Sequence, residues 1–272
     1  MLCNTQPCAK ECEPVRVSLL VTCLVDALYP QVGQSTVRVL ERLGIAVDFP
    51  EQQICCGQPA FNSGFHDEAR AVAASLLDAF ACSEYVVGPS GSCVAMVRHY
   101  LPRLFAGTAR EAEARALAER TYELCEFLVR KLGVVDVGAR LPARVVYHPS
   151  CHATRGLGLR EEPVTLLRHV KDLELLDLPY SEDCCGFGGT FAVKFAALSA
   201  DMGRAKAAHA AQTGGEILTG TDMSCLMHLD GILRRQGSGL RVMHIAEILD
   251  QHPDGAGSVE PQQTWTGQEV PA

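Results

Sequence analysis

Hydrophobic positions along the chain fall into two alternating patterns. Short continuous apolar runs, of which residues 15–21 are the first, read as strands buried on both faces. Between them lie polar-rich stretches whose apolar residues share one helical stripe, such as Val32, Val37, Val39, Leu40 and Leu43 within 31–43, with Gly44 as a stop. Continuing along the chain, the pattern predicts a strand at 45–49, a helix at 66–81 and a strand at 85–88. A second round follows: a strand at 144–147, a helix at 161–170, a strand at 173–178, an alanine-rich helix at 191–211 and a strand at 216–219. Residues 241–243 predict a last strand and 245–249 a last short helix. Between the rounds, residues 109–131, with Leu117, Leu124 and Leu128, predict a bridging helix.

Strands alternating with helices imply right-handed crossovers and parallel sheets covered on both sides. The expected fold is therefore α/β, with two pseudo-symmetric parallel-sheet repeats packed together and joined by the bridging helix. The repeats are placed at 15–107 and 141–250, with a helical connection at 108–140. Residues 251–272, rich in Gly, Gln, Ser and Pro, are expected to form a disordered tail.

Cysteines mark the repeat more sharply than the strands do. In the first round Cys23, Cys55-Cys56-Gly57 and Cys93 each follow a predicted strand; in the second, Cys151, Cys184-Cys185-Gly186 and Cys225 do the same. Cys23 to Cys55 is 32 positions and Cys151 to Cys184 is 33, while Cys56 to Cys93 is 37 and Cys185 to Cys225 is 40. Such self-similarity is the signature of one unit used twice. Ligand crevices of open parallel sheets lie outside the carboxyl ends of the strands, so four thiols separated in sequence are expected to converge in each half.

Composition narrows what those thiols do. The 13 cysteines stand in a chain whose start lacks the basic end and apolar run of a secretory signal, so a reducing cytoplasm is expected, where repeated cysteines point to metal or redox chemistry. A net charge of −8 argues against nucleic acid or an anionic membrane as partner, and no apolar stretch reaches the roughly 20 residues that span a bilayer. Adjacent ligand cysteines are awkward around one tetrahedral zinc ion. An iron–sulfur cluster offers several irons, and the glycines let backbone N–H groups approach its sulfides. The candidate ligands are Cys23, Cys55, Cys56 and Cys93, and Cys151, Cys184, Cys185 and Cys225, with one [4Fe–4S]-type centre expected per half. Cys82 and Cys125 suit the blander reading of buried, inert cysteines, and Cys3, Cys8 and Cys12 that of exposed, incidental ones.

These motifs resemble the cysteine-rich CCG domains of the heterodisulfide reductases and, more closely, the lactate utilization protein A family. The segments that carry the likeness are Cys55-Cys56-Gly57-Gln58-Pro59-Ala60, His148-Pro149-Ser150-Cys151-His152 and Cys184-Cys185-Gly186-Phe187-Gly188-Gly189-Thr190-Phe191, and it extends over about residues 15–250. The resemblance implies an iron–sulfur subunit that works with a ferredoxin-like iron–sulfur protein and a small accessory protein to convert L-lactate to pyruvate. In one respect the chain departs from the reductase pattern, which ends each motif in Cys-x₂-Cys: Ser90 and Asp222 stand where the first cysteine of that pair would be. Each half then has four thiolates rather than five, with Asp222 a candidate oxygen donor. Catalytic residues are not assigned.

His148 and His152 flank Cys151 as candidate donors to a cluster sulfur or proton carriers, though a loop-capping role is the stronger expectation for His148. Arg155 and Lys194 are candidates for holding a carboxylate or offsetting cluster charge, with a solvated surface role at least as strong. The run Gly186-Phe187-Gly188-Gly189 lacks the spacing of a nucleotide loop. Three functions stay open on sequence alone: an electron-transfer subunit in lactate oxidation, a cluster-dependent thiol-disulfide reductase, and a zinc-stabilised interaction module.

Overall fold

The apolar run at 15–21 becomes an inner strand of a four-stranded, all-parallel sheet. The computed structural model describes residues 15–252; Cys3, Cys8, Cys12 and the tail from residue 253 lie outside the described residues. In the first half, β1 (Arg16–Leu19) leads into α1 (Cys23–Leu28) and α2 (Pro30–Arg42), and β2 (Ala46–Asp48) into α3 (Gln58–Asn62) and α4 (His66–Ala79). Then β3 (Tyr85–Gly88) runs into α5 (Gly91–Ala95), a π-helical turn and α6 (Leu101–Leu104), after which α7 (Glu111–Glu119), β4 (Thr121–Glu123) and α8 (Leu124–Glu126) complete the half. The second half opens with β5 (Arg140–His148), followed by a π-helical turn at His152–Gly156, α9 (Glu161–Arg168), β6 (Lys171–Leu176), α10 (Phe191–Lys194) and α11 (Ala196–Gln212). It closes with β7 (Ile217–Gly220), α12 (Met223–Arg235), β8 (Arg241–His244) and α13 (Ile245–Asp250).

Strand order is β2-β1-β3-β4 in one sheet and β6-β5-β7-β8 in the other, so the halves share one topology strand for strand. In each, the chain leaves the two inner strands to opposite sides, β1 and β3 in one sheet and β5 and β7 in the other, and the crevice of a doubly wound sheet opens between them. Residues 109–131 do not form one continuous helix. Thr121–Glu123 pairs with β3 as the outer strand of the first sheet, with Val86 opposite Thr121 and Gly88 opposite Glu123. The helix expected at 191–211 likewise divides at Phe195, whose non-helical φ of −128° and ψ of 50° separate α10 from α11.

One apolar cluster runs through both halves. It joins Val39 and Leu40 of α2, Leu124 and Phe127 of the connection, Val145 and Val146 of β5, Ile217 and Leu218 of β7, and Ile245, Ile248 and Leu249 of α13. At about 1.5–3 kcal/mol for each fully buried aliphatic side chain, this shared core holds the halves as one body. A second cluster covers the other face of the first sheet with Ala69, Leu76, Phe80, Met96, Leu101 and Phe105. The helix α13 docks on α2, where the buried Asp250 accepts from Arg38 Nε at 2.7 Å and Arg42 Nη2 at 3.0 Å. Breaking a buried pair by removing one partner strands the other charge. Asp250→Ala is therefore expected to lower unfolding free energy by roughly 3 kcal/mol, the lower end for such pairs because both arginines reach water. Chemical denaturation checks this, and an unchanged midpoint would refute it. No helix among the described residues is long and apolar enough to cross a membrane.

Candidate functional site

The sulfurs converge because each lies in the segment that leaves the carboxyl end of a strand. Cys23 opens α1, whose first turn is capped by the Thr22 hydroxyl accepting from Val25 N–H at 3.4 Å. Cys93 lies in the first turn of α5 and donates its backbone N–H to Ser90 Oγ at 3.3 Å. Between them, Gly57 adopts the left-handed region at φ 82°, where an added Cβ would lie 2.9 Å from the Ala69 carbonyl oxygen. That close approach turns the chain sharply, so the Gly57 N–H meets Cys55 Sγ at 3.5 Å while Cys56 Sγ packs 3.5 Å from Cys93 Sγ.

The second half repeats the device more tightly. Gly186 sits at φ 89°, and a Cβ there would come within 2.4 Å of the Ser199 carbonyl oxygen. Its carbonyl accepts from Ser199 Oγ at 2.7 Å and its N–H donates to Cys184 Sγ at 3.3 Å. Cys185 Sγ and Cys225 Sγ approach to 2.9 Å, and none of the described cysteines forms a disulfide.

Like groups crowded this way cannot all ionise. Hydrogen bonds from Cys23 and then Cys56 hold Cys55 far below the usual thiol range, while Cys55 as acceptor pushes Cys23 up. Cys184 is held down in the same manner by Cys151 and Cys185, and Cys151 and Cys185 are raised. Buried sets of thiols that share protons through hydrogen bonds to one another are suited to trade those protons for metal. The donor chemistry thus fits a metal or iron–sulfur cofactor in each half.

Both sets open onto one space. All eight cysteines line a single cavity of about 310 Å³ at the seam between the halves. Ser90 and Asp222, the residues that depart from the five-cysteine pattern, build that seam. They cap α5 and α12 and face one another across an antiparallel bridge, and Asp222 Oδ2 accepts from Ser92 N–H at 2.8 Å and from Ser90 Oγ at 3.5 Å. Its other oxygen accepts from the backbone N–H and hydroxyl of Ser224. Both carboxylate oxygens are therefore engaged in joining the halves and capping a helix.

His148 differs from expectation. It caps no loop: it is 2% exposed, neither ring nitrogen has a hydrogen-bond partner, and its ring lies with a nitrogen within 4.8 Å of the Cys185 and Cys225 sulfurs. Burial, aided by nearby Lys206, pushes its pKa down to about 4. His152 lines the cavity, 3.4 Å from Gln58 Nε2 and 3.7 Å from Cys151 Sγ. Arg155 donates to the Glu182 carbonyl and Lys194 is exposed at the end of α10; neither lines the cavity. Of the two cysteines expected to be buried, Cys125 is, whereas Cys82 is exposed in the turn after α4.

Lys206 is not among the residues that motif or spacing singles out. It is 1% exposed, and its Nζ donates to the Tyr180 and Ser181 carbonyls at 2.8 and 2.7 Å. A subtler signal is present: Ser199, Gly203, Lys206, Ala207 and Ala210 form the buried stripe of α11, and a lysine on such a stripe calls for a reason.

A family model described as a cysteine-rich domain, CCG, matches residues 17–98 and 145–230. The chain is similar to Lactate utilization protein A of Oceanobacillus iheyensis, at 49% identity over 89% of this chain and 99% of that protein. It is similar also to Lactate utilization protein A of Geobacillus thermodenitrificans, at 52% identity over 87% of this chain and 99% of that protein. Among solved structures, a glutamate racemase of Bacillus anthracis covers 88% of this chain and 79% of its own at 10% identity and a TM-score of 0.34, a likeness too slight to bear on fold or function.

Proposed function

Because the chain belongs to the lactate utilization protein A family and carries its two CCG repeats, we propose that it is the electron-carrying iron–sulfur subunit of an assembly that oxidises L-lactate to pyruvate. Cys23, Cys55, Cys56 and Cys93 hold one centre, and Cys151, Cys184, Cys185 and Cys225 the other. When bound, a [4Fe–4S] centre accepts and releases electrons singly. Lactate oxidation releases two electrons and two protons, so two such carriers match the electron count. The observation that carries the reading is the single cavity lined by all eight cysteines.

That cavity's lining among the described residues includes neither lysine nor arginine. A bidentate arginine grip is the usual way to orient a carboxylate, so the lining favours electron carrying here and lactate binding on a partner. The chain's own residues shape the surroundings. Gly57 and Gly186 turn their N–H groups onto sulfur, and Leu24, Phe187, Met223 and Val193 bring apolar surface to the sulfurs. Partners of ferredoxin-like iron–sulfur and small accessory type complete the assembly, and eight unpaired cysteines suit a reducing cytoplasm.

Anaerobically purified protein is expected to be brown and to contain iron and acid-labile sulfide. On full reduction its paramagnetic resonance spectrum should show spin–spin broadening, because the two sets face one cavity. Colourless protein holding zinc without sulfide would sink the proposal, and a spectrum that is the plain sum of two isolated signals would refute the shared site.

A further inference from the structure

The two sulfur sets share a backbone but not an environment. Leu20 stands three positions before Cys23, and His148 three before Cys151. Leu76 stands seven after Ala69, whose carbonyl abuts Gly57; Lys206 stands seven after Ser199, whose carbonyl abuts Gly186. Where the first half has two leucines, the second therefore has an imidazole and an ammonium. Leu20 and Leu76 belong to the same apolar cluster as Cys56.

Both second-half residues are buried in the neighbourhood of the sulfurs. His148 is within 4.8 Å of Cys185 and Cys225, with both ring nitrogens buried and unpartnered. Lys206 uses two of its three donors on the Tyr180 and Ser181 carbonyls; burial lowers its pKa to about 8, and the nearby Asp183, Cys185, Cys184 and Cys225 oppose that fall. Asp183 also faces Lys206 and offsets part of its charge, and Asp222 lies near His148. Asp222 is bound to both halves across the seam, so it does not distinguish them.

Resting on the ligand assignment above, we propose that His148 and Lys206 are positioning residues that make the second-half centre the higher-potential of the two. With the centre bound, His148 would offer a ring N–H to a ligand sulfur, and Lys206, held by the Tyr180 and Ser181 carbonyls, would supply positive charge nearby. Hydrogen bonds to sulfur and local charge set the potential of an iron–sulfur centre. Both stabilise the reduced, more negative form. A single electron added to a molecule holding both centres would then reside on the second, with no proton required.

The experiment is a redox titration monitored by paramagnetic resonance, on full-length protein matched for iron and sulfide content. Two potentials are expected in the wild type. His148→Leu, which copies Leu20, should shift the partition of one electron toward the first centre at least tenfold, a fall of about 59 mV in the second potential. His148→Gln keeps an N–H donor and should restore most of it, while Lys206→Leu should lower the same potential. Leu20→His should raise the other centre instead, and it reads the same effect if His148→Leu fails to assemble. Equal potentials in the wild type, or potentials unmoved by both His148→Leu and Leu20→His, would overturn the inference while leaving the ligand assignment standing. Strong nitrogen hyperfine coupling that disappears in His148→Leu would also overturn it, since the ring would then bind iron rather than sulfur. Protein without iron and sulfide would overturn this inference and the assignment together.

Discussion

Replacing Cys184 and Cys185 together with serine is expected to abolish growth on L-lactate while leaving growth on pyruvate intact. The two thiols have different tasks in the second set. Cys184 is the one held ionised by its neighbours, and Cys185 is the buried one that packs against Cys225. A serine hydroxyl is far less acidic than a thiol and a harder donor, so it serves iron poorly. Loss of that centre interrupts the electron path before pyruvate forms, and iron content should fall with growth. Cys82→Ser is the control, because an exposed turn residue away from the cavity changes stability by no more than about 0.5 kcal/mol. Normal consumption of L-lactate by the double variant, in a strain with no other lactate dehydrogenase, would exclude the proposed role and move cluster-dependent disulfide reduction ahead.

Gly186→Ala should be the most damaging single-methyl addition at the site. The position combines a φ of 89° with a carbonyl oxygen 2.4 Å from where the Cβ would go, and that oxygen belongs to the backbone of α11. Left-handed strain alone costs about 1–2 kcal/mol, and a clash that displaces packed backbone adds about 1–3 kcal/mol more. Gly189 shares the left-handed backbone, at φ 64°, but nothing lies within 4 Å of its missing Cβ. Gly189→Ala should therefore show only the first cost. Denaturation midpoints and iron content measured side by side test the difference, and equal losses at the two positions would show that the close approach to Ser199 is not what matters.

Much of this architecture is legible in the sequence, and the parts that are not share physical causes. Strands β1, β3, β5 and β7 announce themselves as apolar runs because both their faces are covered. Thr121–Glu123 does not, since a three-residue outer strand with a polar composition has too little pattern to separate it from the helices on either side. The sulfur loops are readable because a doubled Cys-Cys-Gly at matched spacing places thiols where a parallel sheet gathers its ligands. Spacing along the chain does not convey that the two sets meet, because that depends on how the halves pack. Ser90 and Asp222 look like lost ligands in the sequence, and only their mutual bridge shows them to be the joint. His148 is hidden for a related reason: a histidine beside a cysteine loop reads as a cap until its burial is known.

The contact of α13 with α2 has a consequence for the order in which the molecule can be made. Arg38 and Arg42 emerge early in synthesis, yet their carboxylate partner lies 212 and 208 positions later, at the end of the last helix. Ile245, Ile248 and Leu249 are as late, and they fill the same core as Val39 and Leu40. Contacts so distant in sequence form only after the intervening chain is available to close the loop. The packing of α2 is thus completed only once the last helix has been made, whereas the cluster around Leu76 and Phe80 draws on no residue so late.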